Sequence, residues 1–200
     1  MKLKRWEIAL MIGLAVSLAL GLHAEASARR LASGLVRLHV VADGDGPEQQ
    51  AIKLAVRDAV LEAVWPVLDG AESRGEAERR LRALLPDAEA AAREVLLHAG
   101  QELPVAVSLE IESFPTREYD TFALPAGEYL SLRVTLGSGQ GQNWWCVVFP
   151  PLCAAASVEA LDEALSSDDR RLITRDGTEY VVRFKLVELW EQIKRGRGGG

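Results

Sequence analysis

The stretch VAVSLEI at residues 105–111 marks the point where the hydrophobic pattern of the chain changes its period. Its apolar residues fall on every second position, as in a strand with one buried face. Before this stretch, apolar residues recur mainly at spacings of three and four, which is the period of a helix. Helices early in the chain and strands late in it predict an α+β fold.

The part of the chain before residue 105 predicts one strand followed by three helices. Residues 35–42, LVRLHVVA, are apolar and rich in β-branched side chains, so they predict the first strand. The turn DGDGP at 43–47 follows and ends on a proline suited to a first helical position. A capping box at Ser73 and Glu76 predicts the second helix, and Pro86 the start of the third. The predicted helices cover residues 47–65, 73–85 and 86–100.

Two further strands are predicted after residue 125, LSLRVTL at 130–136 and WWCVVF at 144–149. Only a short, glycine-rich connection separates them, which predicts a hairpin. The expected fold is therefore α+β, with three N-terminal helices packed on a mostly antiparallel sheet, a C-terminal hairpin and a terminal helix. The alternative is that residues 182–186 of that terminal element begin as a strand. The predicted organisation is a signal peptide at 1–28, a domain at 29–153, a linker at 154–178, an amphipathic element at 179–194 and a disordered tail at 195–200.

The N-terminus contains the three parts of a secretory signal peptide. Residues 1–5 are basic, residues 8–22 carry no charge, and residues 26–28, ASA, fit a cleavage site. The uncharged run is shorter than the ~20 residues of a membrane-spanning helix, which favours cleavage over a permanent anchor. Either outcome exports the rest of the chain and limits membrane contact to the signal segment.

Charge and motifs argue against several classes of function. The 200-residue chain has a formal net charge of −6, so a nucleic-acid partner is not expected. Neither His39 nor His98 has a neighbour in sequence that suggests a metal or catalytic site, so both are predicted to be structural. The Asp43–Gly46 turn resembles the start of a calcium loop, but Leu54 stands where that loop needs glutamate. Strand exit and helix capping by aspartate explain it better. We therefore predict no catalytic residue, no metal and no cofactor.

The densest group of unusual residues is NWWCVVFPPLC at 143–153. In a strand, Trp144 and Trp145 must point to opposite sides of the sheet. One of them is then free to act as an interface anchor, although burial of both is an equally good reading. Cys146 and Cys153 are close enough in an exported chain for a disulfide. Two buried thiols are the alternative, because the two prolines between them stiffen the chain.

These residues resemble the stage II sporulation protein R family of endospore-forming bacteria. The similarity covers about residues 35–153, with a weaker match at 182–190, and the 143–153 segment is its most specific part. The turn ADGD at 42–45 departs from the Ala-Asn-Ser that the family usually carries. The other matching segments are RLHVVA at 37–42, KLAVRDAV at 53–60, FPT at 114–116 with Tyr119, and PAGEY at 125–129.

The resemblance implies a function that the composition does not. Such proteins are made in the forespore and secreted into the space between the forespore and mother-cell membranes. There they trigger a membrane-embedded aspartic protease, stage II sporulation protein GA, which trims the precursor of sigma factor E. The alternatives are an exported protein that binds or supports the cell envelope and, less favoured, an exported hydrolase.

The residues expected to contact the protease lie mainly in the 143–153 segment. Arg57 and Asp58 are adjacent on a helix, so we expect them to point in different directions and not to pair with each other. Each of the secondary candidates has a structural reading of equal weight. The primary candidates are Asn143, Trp144, Trp145, Pro150 and Pro151, and the secondary ones are Arg57, Asp58, Thr116 and Glu128.

Overall fold

The computed structural model describes residues 4–119 and 122–153, so the predicted linker, C-terminal element and tail lie outside the described residues. The chain divides into two compact units. The first contains the described residues of Met1–Leu31 and Phe114–Gly127, and the second those of Ala32–Ser113 and Glu128–Leu165. The elements are α1 (Arg5–Gly34), β1 (Val36–Val41), α2 (Pro47–Leu68), α3 (Arg74–His98), β2 (Val105–Phe114), β3 (Arg117–Glu118), β4 (Ala123–Leu124), β5 (Gly127–Leu136) and β6 (Asn143–Phe149).

Most of the described residues of the first unit lie in helix α1, which is 30 residues long. Among the described residues it alone is long and apolar enough to cross a membrane, a test that a signal sequence passes as well. The predicted cleavage site at residues 26–28 lies inside this helix. The short uncharged run therefore gives no argument against a membrane-spanning state, and cleavage stays a prediction. The same unit contains the antiparallel ribbon of β3 and β4, which sequence periodicity did not predict.

The second unit contains a four-stranded sheet with the order β2-β5-β1-β6. Strand β1 runs parallel to β5 and antiparallel to β6. A hydrogen bond from the Gly137 amide to the Pro104 carbonyl joins the end of β5 to the start of β2, so these two strands are antiparallel. The predicted α+β fold with a mostly antiparallel sheet is confirmed.

The predicted hairpin between the last two strands is wrong, because β1 lies between β5 and β6. All six residues of β1 are buried, as expected of a central strand. Crossing it requires the connection from β5 to β6 to span two strand spacings, roughly 10 Å, which six residues cover easily. The geometry of an extended strand correctly predicted opposite faces for Trp144 and Trp145, but the sequence contained no information about which strands are neighbours.

The second and third predicted helices form one continuous helix, α3, with Pro86 inside it. Pro86 is exposed, so water can bind the backbone carbonyl that its ring leaves without a helical partner. Buried residues continue on one face across the proline, from Leu81 to Ala88 and Ala92. This packing holds both halves of the helix in line. Helix α2 likewise continues past Pro66, to Leu68.

The hydrophobic core lies between helices α2 and α3 and one face of the sheet. Val36, Leu38 and Val40 of β1 belong to this core. The alternate residues of β1 include Arg37 and His39, which are buried on the other face. One face of the sheet is therefore apolar and packed on helices, and the other carries buried polar groups.

Candidate interaction surface

Strand β6 stands last in the strand order and places its two tryptophans on opposite faces of the sheet. Trp144 is paired with Val40 and so shares the helix-covered face, whereas Trp145 is paired with His39 on the other face. Both tryptophan residues are half-buried. Neither tryptophan is therefore a fully buried core residue, and each contributes to the surface on its own side.

One secondary candidate, Arg57, contacts Trp144, and a second, Asp58, pairs with Arg57. The guanidinium carbon of Arg57 lies 4.4 Å from the centroid of the Trp144 ring, a cation–π contact. Arg57 Nε donates a hydrogen bond of 2.8 Å to Asp58 Oδ1, so the expectation that these neighbours do not pair is wrong. An arginine side chain is long enough to fold back over the helix and reach the adjacent carboxylate. The structure thus assembles a cation between an aromatic ring and a carboxylate.

The 43–46 turn positions the loop that leads into β6. Asp43 Oδ1 accepts a hydrogen bond of 2.6 Å from the Ser138 amide, and Asp45 Oδ1 one of 2.7 Å from the Gln142 amide. The hydrogen bonds from Ser138 lower the pKa of Asp43. The N-cap of α2 is Gly46, which has no side chain to cap with, so the predicted capping by aspartate is wrong.

Helix α2 holds the same loop from the other side. The Lys53 ammonium donates to the Gln142 carbonyl at 3.1 Å and to Gln50 Oε1 at 2.6 Å. Burial lowers the pKa of Lys53. A Cβ atom at Gly141 would overlap the backbone of Gly44, so this close approach requires glycine. The position of Asn143 and Trp144 is therefore fixed by contacts from two other parts of the fold.

The opposite face carries a polar group that we call the His39 cluster, formed by His39, Glu112, Arg133 and Asn143. His39 Nδ1 lies 3.2 Å from Glu112 Oε2, and His39 Nε2 lies 2.9 Å from Asn143 Oδ1. Arg133 Nη1 donates to Glu112 Oε1 at 2.6 Å. The Trp145 ring lies beside the imidazole, with 5.6 Å between the ring centroids. Each of the four strands supplies one member, so the cluster links the whole width of the sheet.

Glu112 remains ionised at neutral pH. Burial raises the pKa of this carboxyl, but its hydrogen bonds with His39 and Arg133 contribute to a larger opposite effect that lowers it to about 2. One ring nitrogen of His39 faces Glu112 and the other faces Asn143, so the imidazole bridges these two side chains. The cluster is therefore a charged network that ties the edge strand to the centre of the sheet.

The other end of β6 has a different construction. Cys146 and Cys153 form a disulfide, with 5.3 Å between their Cα atoms. The bridge closes the turn that contains Pro150 and Pro151, and the peptide bond before Pro150 is cis. A seven-residue strand is roughly 20 Å long, so these prolines lie far from Asn143. The five primary candidates therefore divide between two separate places.

The two remaining candidates belong to neither group of contacts. Thr116 Oγ1 accepts a hydrogen bond of 3.1 Å from the Ala126 amide within the first unit, which gives it a structural role. Glu128 is exposed at the second position of β5. Strand register places Leu130 and Phe149 on either side of Val36, so Glu128 lies towards the proline end of the sheet.

Within residues 4–119 and 122–153, no three His, Cys, Asp or Glu side chains are grouped so that they could hold a metal ion. In these ranges, hydrogen bonds and ring contacts hold one edge of the sheet in place. The fold and this surface define an α+β domain that follows an N-terminal helix with the properties of a membrane span or signal sequence.

Comparison with known proteins assigns the family. The family model for stage II sporulation protein R matches residues 32–159. The chain is 37% identical over 159 residues to stage II sporulation protein R of Bacillus subtilis (strain 168), covering 76% of this chain and 71% of that protein. The chain therefore belongs to the stage II sporulation protein R family, which confirms the predicted resemblance and gives it a role in sporulation. No solved structure matches the chain.

Sequence reasoning missed the partners of His39. Glu112 and Asn143 are 73 and 104 residues away from it in the chain, so no local spacing could reveal them. The role of Lys53 could have been predicted from the sequence. It follows Ile52 on the apolar face of a helix, and a buried lysine needs a hydrogen-bond acceptor.

Proposed function

We propose that this chain is a secreted signalling protein of endospore formation that activates the membrane aspartic protease stage II sporulation protein GA, and thereby the processing of the sigma-E precursor. The observation that carries the proposal is family membership over residues 32–159. Helix α1 supports export into the space between the forespore and mother-cell membranes, because its length and hydropathy suit a signal sequence.

Activation by binding requires the ligand to discriminate between two states of the protease. A ligand shifts such an equilibrium only by its difference in affinity for the two states. Raising the active fraction from about 1% to about 99% takes a preference of roughly 5.5 kcal/mol. Aspartic proteases use two facing aspartates, so the chain would favour the arrangement of protease chains that brings these residues together.

The surface around Trp144 suits such a ligand. Tryptophan and arginine are the side chains that most often dominate the binding energy of interfaces. Here Arg57 already lies against the Trp144 ring and pairs with Asp58, so little side-chain freedom is lost on binding. The loop contacts from Lys53 and Asp45 hold the strand in place before any partner arrives.

The direct test is co-expression of the protease and the sigma-E precursor in a host that lacks sporulation genes, with and without this chain. We expect cleavage of the precursor only when the chain is present and exported, and none with a variant that lacks residues 1–28. Equal cleavage in the absence of the chain would contradict the proposal. Cleavage of the precursor by the purified chain alone would contradict it as well.

The role of the Trp144 surface is tested by Trp144→Ala, with folding checked by circular dichroism. We expect a folded protein that triggers cleavage at least tenfold less efficiently. Leu97→Ala is the matched control, because Leu97 is a large apolar side chain with 70% exposure on α3. Normal cleavage with folded Trp144→Ala would show that this ring is not an anchor.

A further inference from the structure

A groove lies at the end of β6 that is remote from Asn143. One wall is the C-terminal end of α2 with the turn that follows it, and the other is the turn at 149–152. Its volume is about 1020 Å³, which is enough for several side chains of a bound peptide. The floor includes apolar side chains from both walls, among them Trp65, Leu68, Phe149 and Leu152. All of these residues belong to the second unit.

Three acidic side chains line the groove, and none of the described residues that line it is basic. We call Glu62, Asp69 and Glu72 the groove carboxylates. All three residues are exposed, and none of them forms an ion pair with another described residue. They give the described lining of the groove a negative charge. An anionic membrane surface would be repelled by them, whereas a segment with Lys or Arg would be attracted.

Internal bonds fix both walls of the groove. On one side, Arg80 Nη1 donates to the carbonyls of Val67 and Asp69, each at 2.8 Å. On the other side, the Leu152 amide lies 2.8 Å from the Pro150 carbonyl and 3.2 Å from that of Val147. The disulfide between residues 146 and 153 encloses the same turn. A preformed site loses less conformational entropy on binding than one that must be ordered.

We propose that this groove binds an extracytoplasmic segment of the membrane protease, consisting of an apolar side chain flanked by lysine or arginine. The inference rests on the proposed function and adds a second contact to it, at the opposite end of β6 from Trp144. The apolar side chain packs on the floor of the groove, and the basic residues pair with the groove carboxylates at its rim. Rim charges of this kind affect mainly the rate of association and its dependence on salt.

The test is a charge-reversed variant with Glu62→Lys, Asp69→Lys and Glu72→Lys. Asp69→Lys changes the C-cap residue of α2, where positive charge suits the helix dipole. The probe is a set of overlapping synthetic peptides that covers the extracytoplasmic segments of the protease. We expect at least one basic peptide to bind the unaltered chain, and the variant to bind it at least tenfold more weakly.

The matched control reverses three exposed carboxylates outside the groove, with Asp87→Lys, Glu94→Lys and Glu102→Lys. It makes the same change in net charge, so we expect peptide binding within about twofold of the unaltered chain if local charge matters. A milder variant, Glu62→Gln with Asp69→Asn and Glu72→Gln, serves if charge reversal impairs folding. It is expected to weaken binding and to remove most of the salt dependence.

The outcomes separate this inference from the proposed function. If no peptide binds, or if both groove variants bind peptide and trigger cleavage normally, the groove is not a binding site and the proposed function stands. If the unaltered chain triggers no cleavage in the co-expression experiment, the proposed function is wrong, whether or not a peptide binds. If the groove variants and the control lose binding equally, overall charge is responsible and the inference is wrong.

Discussion

At its first residues, β6 is held by side-chain hydrogen bonds and a cation–π contact, whereas its last residues are held by a disulfide and a proline-rich turn. The first end depends on charged groups, notably Lys53, Arg57 and Glu112. The second depends on covalent and backbone constraints around Pro150. Both devices make an edge strand rigid, but only the first should respond to pH and salt. One strand can thus present two surfaces whose stabilities respond to different conditions.

The largest expected effect is on the charged end, through Glu112→Gln. The pKa of Glu112 is about 2 in the fold against an ordinary value of 4.5, so ionisation stabilises the fold above pH 4.5 and this stabilisation is lost as the pH falls towards 2. Each unit of pKa shift corresponds to about 1.4 kcal/mol, which gives about 3 kcal/mol in favour of the wild type near neutral pH. Urea unfolding of the wild type and of Glu112→Gln from pH 2 to pH 7 measures this difference in the free energy of unfolding.

Glu110→Gln is the control, because Glu110 is an exposed carboxylate on the same strand. It should change the free energy of unfolding by less than about 0.5 kcal/mol at every pH. A constant difference between wild type and Glu112→Gln across this pH range would show that the His39 cluster does not depend on the Glu112 charge.

A slightly smaller effect is expected at the proline end, from the double variant Cys146→Ser with Cys153→Ser. Opening a loop of this length should lower the free energy of unfolding by about 2–3 kcal/mol on the chain-entropy account. The loss should be independent of pH between 3 and 7, in contrast to that of Glu112→Gln. Wild type with reductant should match the variant, since the chain has no other cysteines. A pH-dependent loss would mean that the two ends are not held by different forces.

The smallest effect concerns the contact between Arg57 and Trp144. A double-mutant cycle with Arg57→Met and Trp144→Leu should give a coupling energy of about 0.5–1 kcal/mol, as expected for a partly exposed cation–π pair. Arg93→Met replaces Arg57→Met in the control cycle, because Arg93 pairs with Glu89 on α3. Equal coupling energies in both cycles would show that the cation–π contact does not help to hold the charged end of β6.

Much of the local structure could be predicted because its signals are local. The first strand was expected at 35–42 and is found at Val36–Val41, and the strand predicted at 144–149 begins one residue earlier. Helix ends were less predictable where a proline stood. Pro86 was expected to start a helix, but buried contacts on both sides of it outweigh the loss of one hydrogen bond.

The candidate site was predictable only in part. The density of aromatic residues correctly drew attention to Trp144 and Trp145, but their separate environments depend on Arg57 and His39, which come from a helix and a central strand. Sequence spacing treated Asn143 and Pro150 as one site. The geometry of an extended strand places them at opposite ends.

By itself, the sequence determined the types of element, the α+β class and the family, because the hydrophobic period and short matching segments are properties of neighbouring residues. The tertiary structure decided which strands are neighbours, since the alternation in β5 and β6 is the same whether or not β1 lies between them. It also decided that His39 would meet Glu112 and that the 149–152 turn would face α2. Such contacts arise from packing distant segments together, and the energy that selects them is spread over the whole core.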